Sequence, residues 1–335
     1  MYYLFYLSGA NRTLPKAEVT AVFEALGIAH RVVHSYDQIL VVEAEDIRGV
    51  PSRLALCHGV YEFLGVCRPS IAEIARLAER VAPLIKPPVA VRVRRIRGKW
   101  RELRTDVLER EIGTALGHSV DLSHPASLVV GFVAERFLLA RELRVGLNQK
   151  EYARRHPKTR PFFRPGVLLP RIARAVVNLT RIREGGKLMD PFCGTGGVLI
   201  EAGLIGAEIY GCDIDPRMVR GCEVNLEHYG ISMHHLEVGD AREMGERYPS
   251  FFDAIATDPP YGISASTGGL SLEKLYMEVF PSFYRMLKAN GYACVLSPEK
   301  IPTEEYAANA GFTVVEVHLD RVHAGLTRKI LVVKK

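Results

Sequence analysis

Short apolar alternations and short amphipathic stretches trade places over the first 150 residues. Tyr2–Leu7, Gln38–Ala44, Val89–Ile96 and Ser127–Ala134 are rich in β-branched and aromatic side chains, and each predicts a strand. Lys16–Leu26 and Asp106–Leu116 carry apolar residues at helical spacing and predict helices. The pattern is that of a small α+β fold with room for two modules, divided softly near Glu45–Pro51. No repeat of fixed period runs through it.

The pattern changes further along. Leu168–Leu179 has helical spacing, and apolar runs follow at Lys187–Met189, Glu208–Cys212, His235–Val238, Ala254–Thr257, Tyr292–Leu296 and Thr313–Val317, with helical segments between most of them. Regular βα alternation implies a mostly parallel sheet with helices on both faces. The last run, Lys329–Val333, follows through a connection too short for a helix, so it is expected to pair antiparallel. The expectation is an α/β, Rossmann-like sheet of seven strands with one reversed. Lys150–Gly166 holds three prolines, several cations and no periodicity, which is linker composition. The expected plan is therefore 1–50, 51–149, a linker at 150–166, and 167–335.

Composition narrows the class. At 335 residues, 48% hydrophobic and 24% charged, the chain can fold as two or three domains. No apolar run approaches the roughly 18 residues of a membrane span. Met1–Leu7 is too short, and lacks the basic start, for a signal peptide. A soluble cytoplasmic protein is expected. Cys57, Cys67, Cys193, Cys212, Cys222 and Cys294 form no C-x-x-C pair and have no histidines at zinc spacing, so they read as reduced, mostly buried residues, with no metal site. The net charge of +6 is uneven: residues 1–166 carry 26 Lys and Arg against 17 Asp and Glu, and residues 167–335 carry 18 against 21. A basic first half suits a polyanion, although solubility alone would also account for it.

The first strand of the second half runs into Asp190-Pro-Phe-Cys-Gly-Thr-Gly-Gly197 and then a helix. Gly194, Gly196 and Gly197 permit a tight turn and let a ligand approach backbone N–H groups, with Phe192, Cys193 and Thr195 completing the loop. Dinucleotide folds use similar turns, but Asp190 would repel a pyrophosphate and complement a positively charged methionyl group. S-adenosylmethionine is therefore favoured over NAD. The second strand ends in Gly211-Cys-Asp213-Ile-Asp215. Asp213, about 20 residues past the glycines, can accept both ribose hydroxyls, with Ile214 beside it, while Asp215 before Pro216 reads as a helix cap. The third strand ends at Gly239-Asp240-Ala241, where a carboxylate can accept from an adenine amine. Any one of these acids is an ordinary loop residue; three at successive strand ends mark the edge where such sheets bind ligands.

The fourth strand ends in Asp258-Pro-Pro-Tyr261. A rigid turn needs no more explanation than Pro-Pro between Asp and Gly. The functional reading is sharper. An exocyclic base amine is conjugated and barely nucleophilic, so its lone pair must be turned and aimed at a methyl sulfonium. Asp258 and the Pro259 carbonyl can accept its two N–H bonds, Pro259 and Pro260 make the placement rigid, and Tyr261 offers a stacking face.

Asp190-Pro-Phe-Cys-Gly-Thr-Gly-Gly197 and Asp258-Pro-Pro-Tyr261 resemble those of class I amino-methyltransferases. With Arg160-Pro-Phe-Phe-Arg-Pro165 upstream and Arg321-Val-His-Ala-Gly-Leu-Thr-Arg328 near the end, the arrangement is similar to the archaeal tRNA guanosine-N2 methyltransferases. The match is close over the linker and catalytic half and rests on domain order and charge before it. The resemblance implies a ferredoxin-like domain at 1–50, a THUMP tRNA-binding domain at 51–149 and a class I methyltransferase domain at 167–335. It also implies tRNA as substrate, with one or two methyl transfers to N2 of the guanosine at position 10; a monomer is expected, with a partner subunit as the alternative. It puts Phe163 over the methionine end of the cofactor. Other exocyclic amines in tRNA, rRNA or DNA, and a tRNA-binding protein with an idle catalytic domain, are the alternatives.

The densest cationic stretch supplies candidate phosphate ligands in Arg92, Arg94, Arg95, Arg97, Lys99, Arg101 and Arg104, with Trp100 available for stacking. Cations also blunt strand edges, which is the plainer reading. Arg144, Lys150, Arg154 and Arg155 are expected to extend the track. His323 reads as structural and is left out of the catalytic set.

Overall fold

The computed structural model describes residues 1–262, 271–323 and 325–335. The chain forms two compact units. The first comprises residues 1–12, 28–52 and 57–147; the second comprises 13–27, 53–56 and 148–335.

The first unit is one seven-stranded sheet: β1 (Tyr2–Leu7), β2 (His30–Tyr36), β3 (Ile39–Ala44), β4 (Cys57–Cys67), β5 (Val89–Arg95), β6 (Ser127–Val133) and β7 (Phe137–Glu142), in the order β2-β3-β1-β4-β7-β6-β5. Only β5 and β6 pair parallel. A single sheet thus runs through both segments that the sequence pattern divides near residue 50. Helices Ile71–Val81 and Thr105–Leu116 pack on one face against Val91, Val129 and Leu139. Ser70 starts the first by accepting from Glu73 N, and Gly117, at φ +65°, ends the second. Neither β2 nor β4 was evident in the alternation. β2 is an edge strand of mostly polar residues, none of them buried, and its pairing with β3 turns at Gln38, which adopts φ +57°.

The second unit holds β8 (Lys187–Asp190), β9 (Glu208–Asp213), β10 (His234–Val238), β11 (Phe252–Thr257), β12 (Leu287–Pro298), β13 (Thr313–His323) and β14 (Leu326–Lys334), in the order β10-β9-β8-β11-β12-β14-β13. Neighbours among β8 to β12 pair parallel, and β14 runs antiparallel to both β12 and β13. This is the expected seven-stranded sheet with one reversed strand. Alternate residues feed two cores: Cys294, Leu296, Ile330 and Val332 join one, while Ala293, Val295, Leu331 and Val333 join the other. Helices therefore cover both faces.

Two early segments belong to this second unit. Helix Leu14–Ala25 contributes Leu14 and Ala21 to its core. Glu18 on that helix is fully buried and accepts from the N–H groups of Ala55 and Leu56 and from Asn178 Nδ2, each at 2.9 Å. Arg53 Nε donates to Asn178 Oδ1 at 2.9 Å. Burial pushes the Glu18 carboxyl up, and the three donors oppose that.

Residues 150–166, expected as a linker, are also fixed within this unit. Tyr152 is buried, and Arg155 shares the buried Glu201 carboxylate with Arg174, at 2.8 and 2.9 Å. Phe162 exchanges two hydrogen bonds with the Asn225 side chain at 2.9 and 2.8 Å. Past the short helix Gln149–Arg154, prolines remove the periodicity and single anchoring residues hold the segment, so no helix or strand pattern announces it.

Five cysteines are buried, Cys67 is half-buried, and all six are free thiols. Among the described residues no helix is long and apolar enough to cross a membrane, and no cluster of His, Cys, Asp or Glu could hold a metal.

Candidate methyl-transfer site

Four parallel strands bring acids to one sheet edge: β8 ends at Asp190, β9 ends at Asp213, and β10 and β11 run on to Asp240 and Asp258. Asp190 is buried, and its Oδ1 accepts from Thr257 Oγ1 at 2.7 Å and from Phe192 N at 3.1 Å. Burial pushes its carboxyl up to about 7; the two hydrogen bonds work against that, and the charges of Asp258 and Asp213 reinforce it. Thr257, which the sequence reading passed over, ties the end of β11 to the end of β8.

The glycine turn follows Asp190 directly. Gly194 and Gly196 adopt φ +50° and +83°, a region that strains any residue with a Cβ. At Gly196 a Cβ would also stand 2.8 Å from Cys222 Sγ. Cys193 N donates to Cys212 O and Gly194 N to Asp213 Oδ2, both at 2.9 Å, so the loop is stitched to the end of β9. Phe192 packs on the second core cluster, Thr195 is buried, and Gly197 opens helix Gly197–Gly203.

Asp213 also accepts from Asp215 N at 2.9 Å. Burial raises its carboxyl, and the backbone donors restrain the rise. Asp215 caps helix Pro216–His228 by accepting from Arg217 N at 2.8 Å, as expected; the Arg217 guanidinium holds its carboxyl down at about 2. Ile214 between them is half exposed.

At the end of β10, Arg242 engages both Asp240 oxygens, down to 2.6 Å, and also Glu278 at 2.8 Å. The arginine holds the Asp240 carboxyl below its usual range. Ala241 is fixed through its carbonyl by Ser282 Oγ at 2.7 Å. Arg242 sits two residues past the acid, and no motif in the sequence marks it.

Past β11, the Tyr261 hydroxyl donates to Asp258 Oδ1 at 2.5 Å across Pro259 and Pro260. Burial raises the Asp258 carboxyl, while Arg328 and the tyrosine hydroxyl pull it down. The Tyr261 phenol is raised, first by burial and then by Asp258. Arg328 Cζ lies 5.9 Å from the centre of the Tyr261 ring. Upstream, Phe163 is half exposed and follows Phe162, whose partner Asn225 also donates to Thr195 O at 2.9 Å. His323 is exposed and accepts from Gly325 N at 3.2 Å; Ala324 in the same motif lies outside the described residues.

In the first unit, the cationic stretch divides. Arg95 donates to the carbonyls of Lys99, Trp100 and Leu103 and so shapes the loop after β5. Arg97 pairs with Asp37 at 2.6 Å, Lys99 with Glu135 at 2.8 Å and Arg104 with Asp106 at 2.8 Å. Trp100 Nε1 donates to Ala134 O at 2.9 Å, leaving the ring partly exposed. Arg92 and Arg94 share an exposed face of β5, Arg94 lying 5.7 Å from the centre of the Tyr6 ring. Arg101 and Arg144 are exposed, Arg144 donating to Pro125 O at 3.0 Å. Lys150 is exposed on helix Gln149–Arg154 of the second unit, where Arg154 pairs with Glu151 at 2.8 Å, whereas Arg155 is buried on Glu201 and leaves the expected track.

Residues 157–330 match the family described as RMKL-like, methyltransferase domain. The chain is 37% identical to the tRNA (guanine(10)-N2)-dimethyltransferase of Methanothermobacter thermautotrophicus, over 98% of both chains. It is 35% identical to the protein of the same name from Pyrococcus abyssi, again over 98% of both. Among solved structures, TrmN from Thermus thermophilus shares the fold with a TM-score of 0.57 at 22% identity, all of each chain being covered. With its glycine turn and its four strand-end acids, the chain belongs to the RMKL-like methyltransferase family, alongside the archaeal tRNA (guanine(10)-N2)-dimethyltransferases.

Proposed function

We propose that this chain transfers methyl groups from S-adenosylmethionine to the exocyclic N2 of guanosine at position 10 of tRNA, once or twice, as a cytoplasmic monomer. The observation that carries the reading is the Asp258–Tyr261 turn on the same sheet edge as the glycine loop, in a chain whose full-length relatives bear that name.

The loop fits the cofactor. At Gly194 the space a Cβ would occupy is open, the nearest atom being Phe192 O at 4.0 Å, so a ligand can approach the backbone. Phe192, Cys193, Gly194, Thr195, Gly196 and Gly197 would cradle it, with Asp190 facing the methionyl ammonium and Phe163 above it. Asp213 would take the ribose hydroxyls, with Ile214 against the adenine. Asp240 and Ala241 would take the adenine amine once Arg242 moves toward its second partner, Glu278. Bound there, S-adenosylmethionine supplies an electrophilic methyl on a sulfonium.

The protein's own work is on the amine. Asp258 and the Pro259 carbonyl accept the two N–H bonds, which draws the nitrogen lone pair out of conjugation. Pro259 and Pro260 keep the acceptors rigid, and Tyr261 supplies the stacking face. As the N–CH3 bond forms and the S–CH3 bond breaks, the nitrogen sheds one proton, and Asp258, raised by burial, is the acceptor at hand.

The sheet of the first unit is read as shared by the ferredoxin-like (1–50) and THUMP (51–149) modules, whose residues 13–27 and 53–56 belong to the second unit. Arg92, Arg94, Arg101 and Arg144 are its candidate phosphate ligands. Arg95, Arg97, Lys99 and Arg104 would reach RNA only at the expense of their present partners.

Incubating the protein with unmodified tRNA and methyl-tritiated cofactor, then digesting to nucleosides, tests the assignment. Label in N2-methylguanosine or N2,N2-dimethylguanosine is expected. Label in adenosine would redirect the chain to another amine, and no label with intact cofactor binding would point to an idle catalytic domain.

A further inference from the structure

We infer that Arg328 is a positioning residue for methyl transfer: seated between Asp320 and the Tyr261 ring, its guanidinium fixes the Tyr261–Asp258 pair and supplies the counter-charge to Asp258. The inference deepens the function proposed above and rests on it.

Topology brings Arg328 to this place. β14 is the one reversed strand, so its first residues lie where the parallel strands end. Arg328 stands opposite Pro298, the last residue of β12, and opposite Asp320 on β13. Its side chain is buried, with 8% of the residue exposed.

The partners there are poor for a purely structural arginine. Its nearest carboxylate, Asp320, is 3.6 Å away, and its buried Nε has no hydrogen-bond partner among the described residues. Burying a guanidinium so incompletely satisfied is costly, and replacement by a packed apolar side chain would ordinarily stabilise the fold. The cation nevertheless stands over Tyr261, whose hydroxyl is bonded to Asp258.

The surroundings of Asp258 give the charge a purpose. Tyr261 faces it from its own turn, Asp190 from the end of β8, Tyr276 from helix Leu272–Met286, and Arg328 from β14. Arg328 is the cation of that set. Without it, a buried carboxylate beside Asp190 would take a proton more readily, and a protonated Asp258 cannot accept both an amine N–H and the Tyr261 hydroxyl with full strength.

The test compares wild type, R328M and R328K in single-turnover methyl transfer to tRNA across pH 5 to 9, with cofactor affinity measured separately by titration. Activity falls as pH drops through the Asp258 pKa, and removing a nearby cation raises that pKa, so the acid limb of R328M is expected to move up by about one pH unit. R328K, which restores the charge, is expected to return the limb toward wild type, and cofactor affinity is expected to stay unchanged in both. A wild-type limb in R328M, or a limb in R328K as displaced as that in R328M, overturns the inference. A wild-type protein that labels no tRNA overturns the underlying function as well, which separates the two failures. Should R328M not fold, R328Q keeps a polar end without charge and is judged by the same limb.

Discussion

Tyr261 closes the tetrapeptide on itself: its hydroxyl reaches back over two prolines to Asp258 Oδ1 at 2.5 Å. The hydrogen bond occupies one lone pair of one carboxylate oxygen and leaves the rest of the group for an incoming donor. It also sets the phenol ring relative to the acid, so the stacking face and the acceptor proposed for the base are held as one piece.

Asp258→Ala removes the acceptor and is expected to lower the single-turnover rate by about 10²–10⁴-fold with cofactor affinity unchanged. Tyr261→Phe keeps the ring and loses the tether, so a smaller loss is expected. Rapid-quench assays with saturating cofactor measure both, and a D258A rate within a few-fold of wild type would remove Asp258 from the mechanism.

Asp190 gives a stability signature in pH. Its folded carboxyl is pushed up to about 7, above the ordinary value of 3.8, so the folded state binds the proton more tightly than the unfolded one. Stability from this group is therefore present at acid pH and is lost as pH rises from about 4 to about 7. Asp190→Asn keeps an acceptor for Thr257 and cannot ionise. Its melting temperature relative to wild type is expected to climb across that window, and a constant difference would contradict the shift.

Gly196→Ala is expected to destabilise the protein by about 1–3 kcal/mol through the strained φ alone, and to weaken cofactor binding by displacing the loop against Cys222. Gly221→Ala acts at a distance: its Cβ would stand 2.0 Å from the Phe162 ring, forcing that residue off helix Pro216–His228. Calorimetric titration of both variants should show weakened cofactor affinity, and unchanged affinity in G221A would separate the 160–165 segment from the cofactor site.

Charge reversal sorts the cationic stretch. Arg92→Glu, Arg94→Glu and Arg101→Glu together are expected to weaken tRNA binding and reduce the slope of log affinity against log salt by about one per lost contact. Arg97→Glu should instead lower the melting temperature, because it breaks the pairing with Asp37. An unchanged salt slope in the triple variant would refute the phosphate contacts.

Glu201 neutralises two buried arginines, Arg155 and Arg174. Glu201→Ala strands both cations and is expected to cost about 3–5 kcal/mol of stability by chemical denaturation. A loss below 1 kcal/mol would mean that water reaches the pair.

The catalytic half was legible because each parallel strand is a short apolar run that stops at an acid or a glycine, and ligands bind at that edge whatever the sequence between. The places of Asp190, Asp213, Asp240 and Asp258 at the strand ends could be read without coordinates for that reason. Thr257, Arg242 and Arg328 could not, since each matters only through a neighbour brought close by folding. The first half was less legible. β2 is polar and nowhere buried, β4 is 11 residues long with register irregularities, and helix Leu14–Ala25, though foreseen, gives no local sign that it packs with residues 148–335. Its buried Glu18 carries no mark in the sequence, because its donors lie 37 to 160 positions away.

The interleaving of segments in the two units has a consequence for biosynthesis. The nascent chain passes between units five times, and Glu18 leaves the ribosome long before Asn178 exists to meet it. Until then Glu18 has only the Ala55 and Leu56 donors to meet, so the packing of its helix waits on residues 160 positions downstream. A pause before Asn178 emerges would leave that helix exposed to chaperones and proteases, which makes a mid-chain asparagine the guardian of one of the earliest helices.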